Sequence, residues 1–166
     1  MKANKQFFRF TLLLTLAILQ LACSPSKDKD PNDEAVQNDF PSMTAMSMVG
    51  TELKLRDLTG RVVLILFQTD CDHCQREAAA IQENISAFKD YSLYFISTTS
   101  PEDILKFADH YKLIGHQNVH FFRTSSQSIL ENFGPIDAPS LYIYSDKKLV
   151  KAFNGETNIN EILKYI

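Results

Sequence analysis

The sequence predicts an α/β sandwich with a mixed sheet, and three observations carry that prediction. Two apolar runs of strand length, Val62-Val63-Leu64-Ile65-Leu66-Phe67 and Leu93-Tyr94-Phe95-Ile96, read as buried central strands. Segments of helical period stand between such runs, so strands and helices alternate along the chain. Two hairpin patterns, one near each end of the domain, add further strands to the same sheet.

The first hairpin is expected from Met46-Ser47-Met48-Val49 and Glu52-Leu53-Lys54-Leu55, which flank Gly50-Thr51. Asp57-Leu58-Thr59-Gly60 turns the chain into strand 62–67. After the polar step Gln68-Thr69-Asp70, a helix opens around Cys71-Asp72-His73-Cys74, with Ala78, Ile81, Ile85 and Phe88 on one face. Strand 93–96 follows, with turn signals after it. Ser100-Pro101-Glu102-Asp103 is a helix start: a serine cap, proline at the first position and acids in the first turn. That helix carries Ile104, Leu105, Phe107, Ala108 and Tyr111. Val119-His120-Phe121-Phe122 is a short strand or extended segment, and Ser126 to Phe133 a short helix stopped by Gly134-Pro135. Leu141–Tyr144 and Leu149–Phe153 flank the polar turn Ser145–Lys148 as a second hairpin. A last helix is expected from about Asn160 to Ile166.

Residues 1–22 read as a signal peptide of lipoprotein type. A basic start (Lys2, Lys5, Arg9) precedes an apolar stretch too short for a transmembrane helix, and Ala22 stands before Cys23. Cys23 is the expected lipidation site, which accounts for the one cysteine outside the Cys71–Cys74 pair. Residues 23–39 are polar, contain two prolines and read as a flexible tether; residues 40–166 form one domain. Removing residues 1–22 takes three of the 17 Lys+Arg and none of the 20 Asp+Glu, leaving a net charge of −6. With no basic stripe, the sequence gives no reason to expect nucleic acid as a partner. The expected place is the bacterial cell envelope, with a lipid on Cys23 holding the protein at a membrane.

Cys71 and Cys74 carry the chemistry. A buried strand delivers two cysteines, two residues apart, to a helix start, where the helix dipole and the free N–H groups of the first turn favour a thiolate at Cys71. Cys74 lies one turn on, within reach of a disulfide. Asp70 and Asp72 put negative charge beside Cys71 and oppose its thiolate, while His73, as imidazolium or hydrogen-bond donor, favours it.

From about residue 40 to the end, the chain resembles the thioredoxin-like, membrane-tethered thiol–disulfide oxidoreductases of the TlpA kind. The resemblance rests on the lead-in Leu55-Arg56-Asp57-Leu58-Thr59-Gly60-Arg61-Val62-Val63-Leu64, the CxxC at a helix start, Arg76-Glu77 after it, and Ala138-Pro139 before a strand. It implies a thioredoxin-like fold with an extra N-terminal β-hairpin. It implies that Cys71 is the exposed nucleophile, that Cys74 resolves the mixed disulfide, and that the redox-active pair itself replaces any cofactor. Pro139 then corresponds to a cis-proline beside the site, with the Ala138 backbone pairing with the substrate chain like an added strand. Glu77 matches an acid that shuttles a proton to or from Cys74; an early-helix acid that merely complements the dipole is the plainer alternative. The chain departs from the family in having Asp70 where a Trp precedes the first cysteine, and in lacking a proline before the second. His73 occurs at this place in oxidising relatives. The motif alone leaves reductase and oxidase open; the overall TlpA-like pattern favours a reductase acting on protein disulfides, recycled by a membrane electron donor or acceptor.

Two other functions fit parts of the sequence. A thiol peroxidase of peroxiredoxin type shares the lead-in and has a Thr shortly before its cysteine, as Thr69 stands here, but the earlier proline of that motif is missing. A copper-binding module could draw on the Cys pair and on Met43, Met46 and Met48, since soft Cu(I) takes thioether ligands; Met46 and Met48 also alternate as core-facing strand residues do. Structural zinc needs a closed set of four ligands, and there is no second Cys pair, so no metal ligand is assigned.

Overall fold

The structure is a computed structural model and describes residues 37–166. The expected signal peptide, the expected lipidation site Cys23 and the expected tether as far as residue 36 lie outside the described residues. One seven-stranded mixed sheet, in the order β2-β1-β5-β4-β3-β6-β7, organises the rest. Its strands are β1 Thr44–Ser47, β2 Glu52–Lys54, β3 Arg61–Phe67, β4 Ser92–Ser97, β5 Val119–Arg123, β6 Ser140–Ser145 and β7 Lys148–Asn154. The helices are α1 Asp72–Glu83, α2 Pro101–His110, α3 Ser126–Phe133 and α4 Ile159–Ile162. The β3–β4 and β4–β5 pairs are parallel, and β6 runs antiparallel on the other side of β3.

β3 lies inside the sheet, paired on both edges, and six of its seven residues are buried. Alternation along it feeds two cores. Val63, Ile65 and Phe67 join Cys74, Ala78, Ile81 and Phe95 on one face; Val62, Leu64 and Leu66 join Phe40, Met43, Leu55 and Tyr144 on the other. Each such side chain, fully buried, stabilises the fold by roughly 1.5–3 kcal/mol before entropy is counted. That continuous apolar strand fixes where its C-terminal end, and so Cys71, must sit.

Most elements form where the sequence places them. Ser100 caps α2 by accepting from the Asp103 N–H at 3.1 Å, with Pro101 as the first helical residue. Val119–Arg123 is a full strand paired with β4. Three boundaries differ. The first hairpin begins earlier, because Met48 and Val49 belong to the turn: the Gly50 N–H closes on the Ser47 carbonyl at 3.0 Å and Gly50 takes φ +86°. Val49 is left 89% exposed. The helix expected through Phe88 stops at Glu83, since the Asn84 side chain takes the Ala80 carbonyl and a 3-10 turn carries Ile85–Phe88. The last helix is a single α-turn, Ile159–Ile162, running into a 3-10 turn over Leu163–Tyr165. No described helix is long and apolar enough to cross a membrane.

Candidate active site

Cys71 caps α1 with extended backbone, and its Sγ accepts from the Cys74 N–H at 3.3 Å. The same sulfur lies 3.5 Å from the Ala138 carbonyl oxygen, to which its S–H donates. Cys71 is half-buried and Cys74 is 2% exposed; both are free thiols. The Cys74 Sγ accepts from the Gln68 N–H at 3.5 Å, at the step where β3 gives way to the helix. Burial above all, and then the hydrogen bond with Cys71, pushes the Cys74 thiol far above its ordinary range. One sulfur is therefore reachable from outside, and the other is held as a thiol in the core.

One turn further along α1, Glu77 is 3% exposed. Its Oε2 accepts from the Thr157 N–H at 2.9 Å, while Oε1 is buried with no partner among the described residues. Burial pushes its carboxyl up to about 7, against the pull of the Thr157 N–H. Its charge in turn raises the Cys74 thiol, so the two groups sense each other. An acid that changes protonation near neutrality, beside a buried thiol, is suited to move that thiol's proton.

The Ala138–Pro139 peptide bond is cis, as the family resemblance implies, and lies between α3 and β6. Grooves flank it. One, of about 390 Å³, is lined by His73, Ile136, Asp137, Ala138, Gly155 and Glu156. The other, of about 470 Å³, runs past Gln68, Thr98, Ile129, Leu130 and Ala138. Both grooves reach Ala138, whose carbonyl meets the Cys71 sulfur.

Asp70 and Asp72 are exposed beside the pair. His73 is exposed too, but its ring is engaged: Nδ1 lies 2.6 Å from Glu156 Oε2 and 2.8 Å from Arg76 Nη2. Arg76 grips the same carboxylate, Nε to Oε1 at 2.8 Å and Nη2 to Oε2 at 2.6 Å. The Arg76 guanidinium first, and His73 second, hold the Glu156 carboxyl down to about 2. The sequence reading did not single out Glu156, Thr157 or Gln68. Gly155 marks a turn after β7, yet nothing local says that this turn returns to α1.

The three methionines do not converge. Met43 is buried in one core, Met48 packs against the opposite one, and Met46 is 42% exposed. Among the described residues no three His, Cys, Asp or Glu side chains are grouped to hold a metal ion. The thioether cluster required by the copper reading is thus not assembled.

Residues 36–153 match the AhpC/TSA family model. No curated protein sequence matches the chain. Similar solved structures share its fold. A secreted Mycobacterium tuberculosis disulfide oxidoreductase homologous to E. coli DsbE superposes with a TM-score of 0.64 at 17% identity, covering 75% of this chain and 93% of that one. A cysteine-to-serine mutant of Arenicola marina peroxiredoxin 6 gives 0.63 at 19% identity, covering 75% of this chain and 68% of that chain. Copper-bound Arabidopsis thaliana ScoI gives 0.58 at 14% identity, over 74% and 91%. A fold shared by proteins of such different functions leaves the choice to the site residues.

Proposed function

The chain belongs to the AhpC/TSA family, and from that premise we propose that it is a thiol–disulfide oxidoreductase that reduces protein disulfides through Cys71 and Cys74. The observation that carries this reading is the unequal pair: a half-buried Cys71 at the helix cap and a buried Cys74 next to Glu77, a carboxyl lifted to about 7.

The Cys71 thiolate attacks one sulfur of a substrate disulfide. A mixed disulfide forms, and the substrate's other sulfur leaves as a thiolate and takes a proton from solvent. Glu77, as carboxylate, then accepts the Cys74 proton. The Cys74 thiolate attacks the Cys71 sulfur and expels the second substrate thiolate, which is protonated in turn. The substrate gains two electrons and two protons, and the protein is left with a Cys71–Cys74 disulfide. A membrane electron donor returns it to the dithiol. The Ala138 backbone, in contact with the Cys71 sulfur, is the surface on which the substrate chain pairs, and Pro139 shapes it. Lipidation of Cys23 holds the domain at a membrane of the bacterial envelope, with residues 24–39 as the tether.

The family also admits a peroxidase. Its chemistry needs donors around the nucleophilic sulfur, whereas here that sulfur meets the Cys74 N–H and the Ala138 carbonyl, and among the described residues no Thr hydroxyl bonds it. The Cys74→Ala protein separates the two. With a disulfide-bonded protein substrate it accumulates a mixed disulfide through Cys71, resolved by added dithiol. If it traps no substrate, while the unaltered protein consumes hydrogen peroxide with donor thiols, the peroxidase reading replaces this one.

A further inference from the structure

The loop after β7 touches three parts of the site with three consecutive residues. The Gly155 N–H donates to the Pro139 carbonyl at 2.9 Å. The Glu156 carboxylate takes His73 and Arg76, both in the first turns of α1. The Thr157 N–H donates to Glu77 inside the core. Hydrogen bonds on both sides therefore fix the backbone of Glu156, and two bonds from Arg76 fix its carboxylate. What that carboxylate then holds, together with Arg76, is the ring of His73, which stands between the two cysteines in the sequence.

We propose that Glu156 is a positioning residue for disulfide exchange: it holds the His73 ring against the 155–157 loop and thereby limits how far that ring stabilises a Cys71 thiolate. The proposal rests on the thiol–disulfide reading above. His73 is mostly solvent-exposed, and its Nδ1 meets both Glu156 Oε2 at 2.6 Å and Arg76 Nη2 at 2.8 Å. Glu156 also holds Arg76, so without that carboxylate both side chains would sample several rotamers. His73 and Glu156 line the same groove as Ala138, whose carbonyl meets the Cys71 sulfur. A ring released from Glu156 turns within that groove, beside the nucleophile. The carboxylate also offsets the charge of its partners, and Arg76 keeps it ionised well below neutral pH. Glu156 thus restrains an imidazole that would otherwise favour the reduced, thiolate-bearing state and make the pair more oxidising.

The test is a double-mutant cycle of Glu156→Gln and His73→Ala in the full chain, with two readouts. One is the rate of iodoacetamide alkylation of Cys71 in the reduced protein at a fixed pH. The other is the Cys71–Cys74 equilibrium in thiol buffers. Glu156→Gln is expected to speed alkylation about tenfold and to shift the equilibrium about tenfold toward the dithiol, equivalent to about 30 mV. In the His73→Ala background the same change should move either quantity less than about twofold. Unaltered alkylation and equilibrium in Glu156→Gln would overturn the proposal. So would an equal shift without His73, which assigns the effect to the charge on Arg76. A wild-type protein lacking a reversible couple defeats the functional reading instead, and the alkylation series still decides the role of Glu156.

Discussion

The inner and outer flanks of α1 carry the same chemistry in opposite states. On the inner flank Glu77 is buried with Cys74 and has one backbone donor; its carboxyl is lifted to about 7. On the outer flank Glu156 meets Arg76 and His73 at the surface and is held down to about 2. Consecutive residues of one loop, Glu156 and Thr157, serve the two flanks. The difference teaches that solvent access and available cations, rather than residue type, decide which acid can exchange protons near neutral pH. Glu77 can act as a proton carrier there, and Glu156 serves as a fixed negative charge.

The comparison can be broken or sharpened by substitution. Removing the sulfur both flanks serve has the largest effect: Cys71→Ala should abolish disulfide reduction, measured as loss of turnover with a disulfide-bonded protein. Glu77→Gln comes next. It keeps an oxygen for the Thr157 N–H but cannot accept the Cys74 proton, so release of the mixed disulfide should slow about a hundredfold. In the unaltered protein that rate should rise with pH through about 7, and the substitution should flatten the profile, as stopped-flow mixing will show.

The third test is thermodynamic. Because the folded-state pKa of Glu77 is raised, the native state binds its proton more tightly than the unfolded chain. Its stabilising contribution is complete at pH below the unfolded value near 4.5 and is lost as pH climbs to about 7. Urea denaturation should show the unaltered protein losing about 3 kcal/mol more than Glu77→Gln across that window. Glu156, with its lowered pKa, slopes the other way: its contribution is present above about 4.5 and fades as pH falls toward 2. The smallest effect belongs to Glu156→Gln on melting temperature near neutral pH, which should barely change because the pair is solvent-exposed. A large drop there would mean that the loop is a structural clamp on α1.

What could be read from the sequence follows the range of the interaction. β3 announces itself because paired neighbours bury both its faces, and the α2 start because serine, proline and acids act within one turn. Cys71 and Cys74 sit in a short local pattern, and the cis bond at Pro139 came from the family resemblance. Resemblance pointed to Glu77, though its burial is set by packing and by Thr157, eighty positions away. Glu156 lay beyond reach for the same reason: the turn it follows is visible, its return to His73 is not. The early end of α1 was missed because Asn84 bonds its own helix, a competition that apolar spacing does not register.

The reduction potential of the Cys71–Cys74 pair, poised in thiol buffers, tests the central claim most directly. A reversible two-electron couple near or below about −250 mV is the predicted result, placing the pair with thioredoxin-like reductants. A value near about −120 mV would contradict it, because His73 would then escape its partner and the protein would donate disulfides.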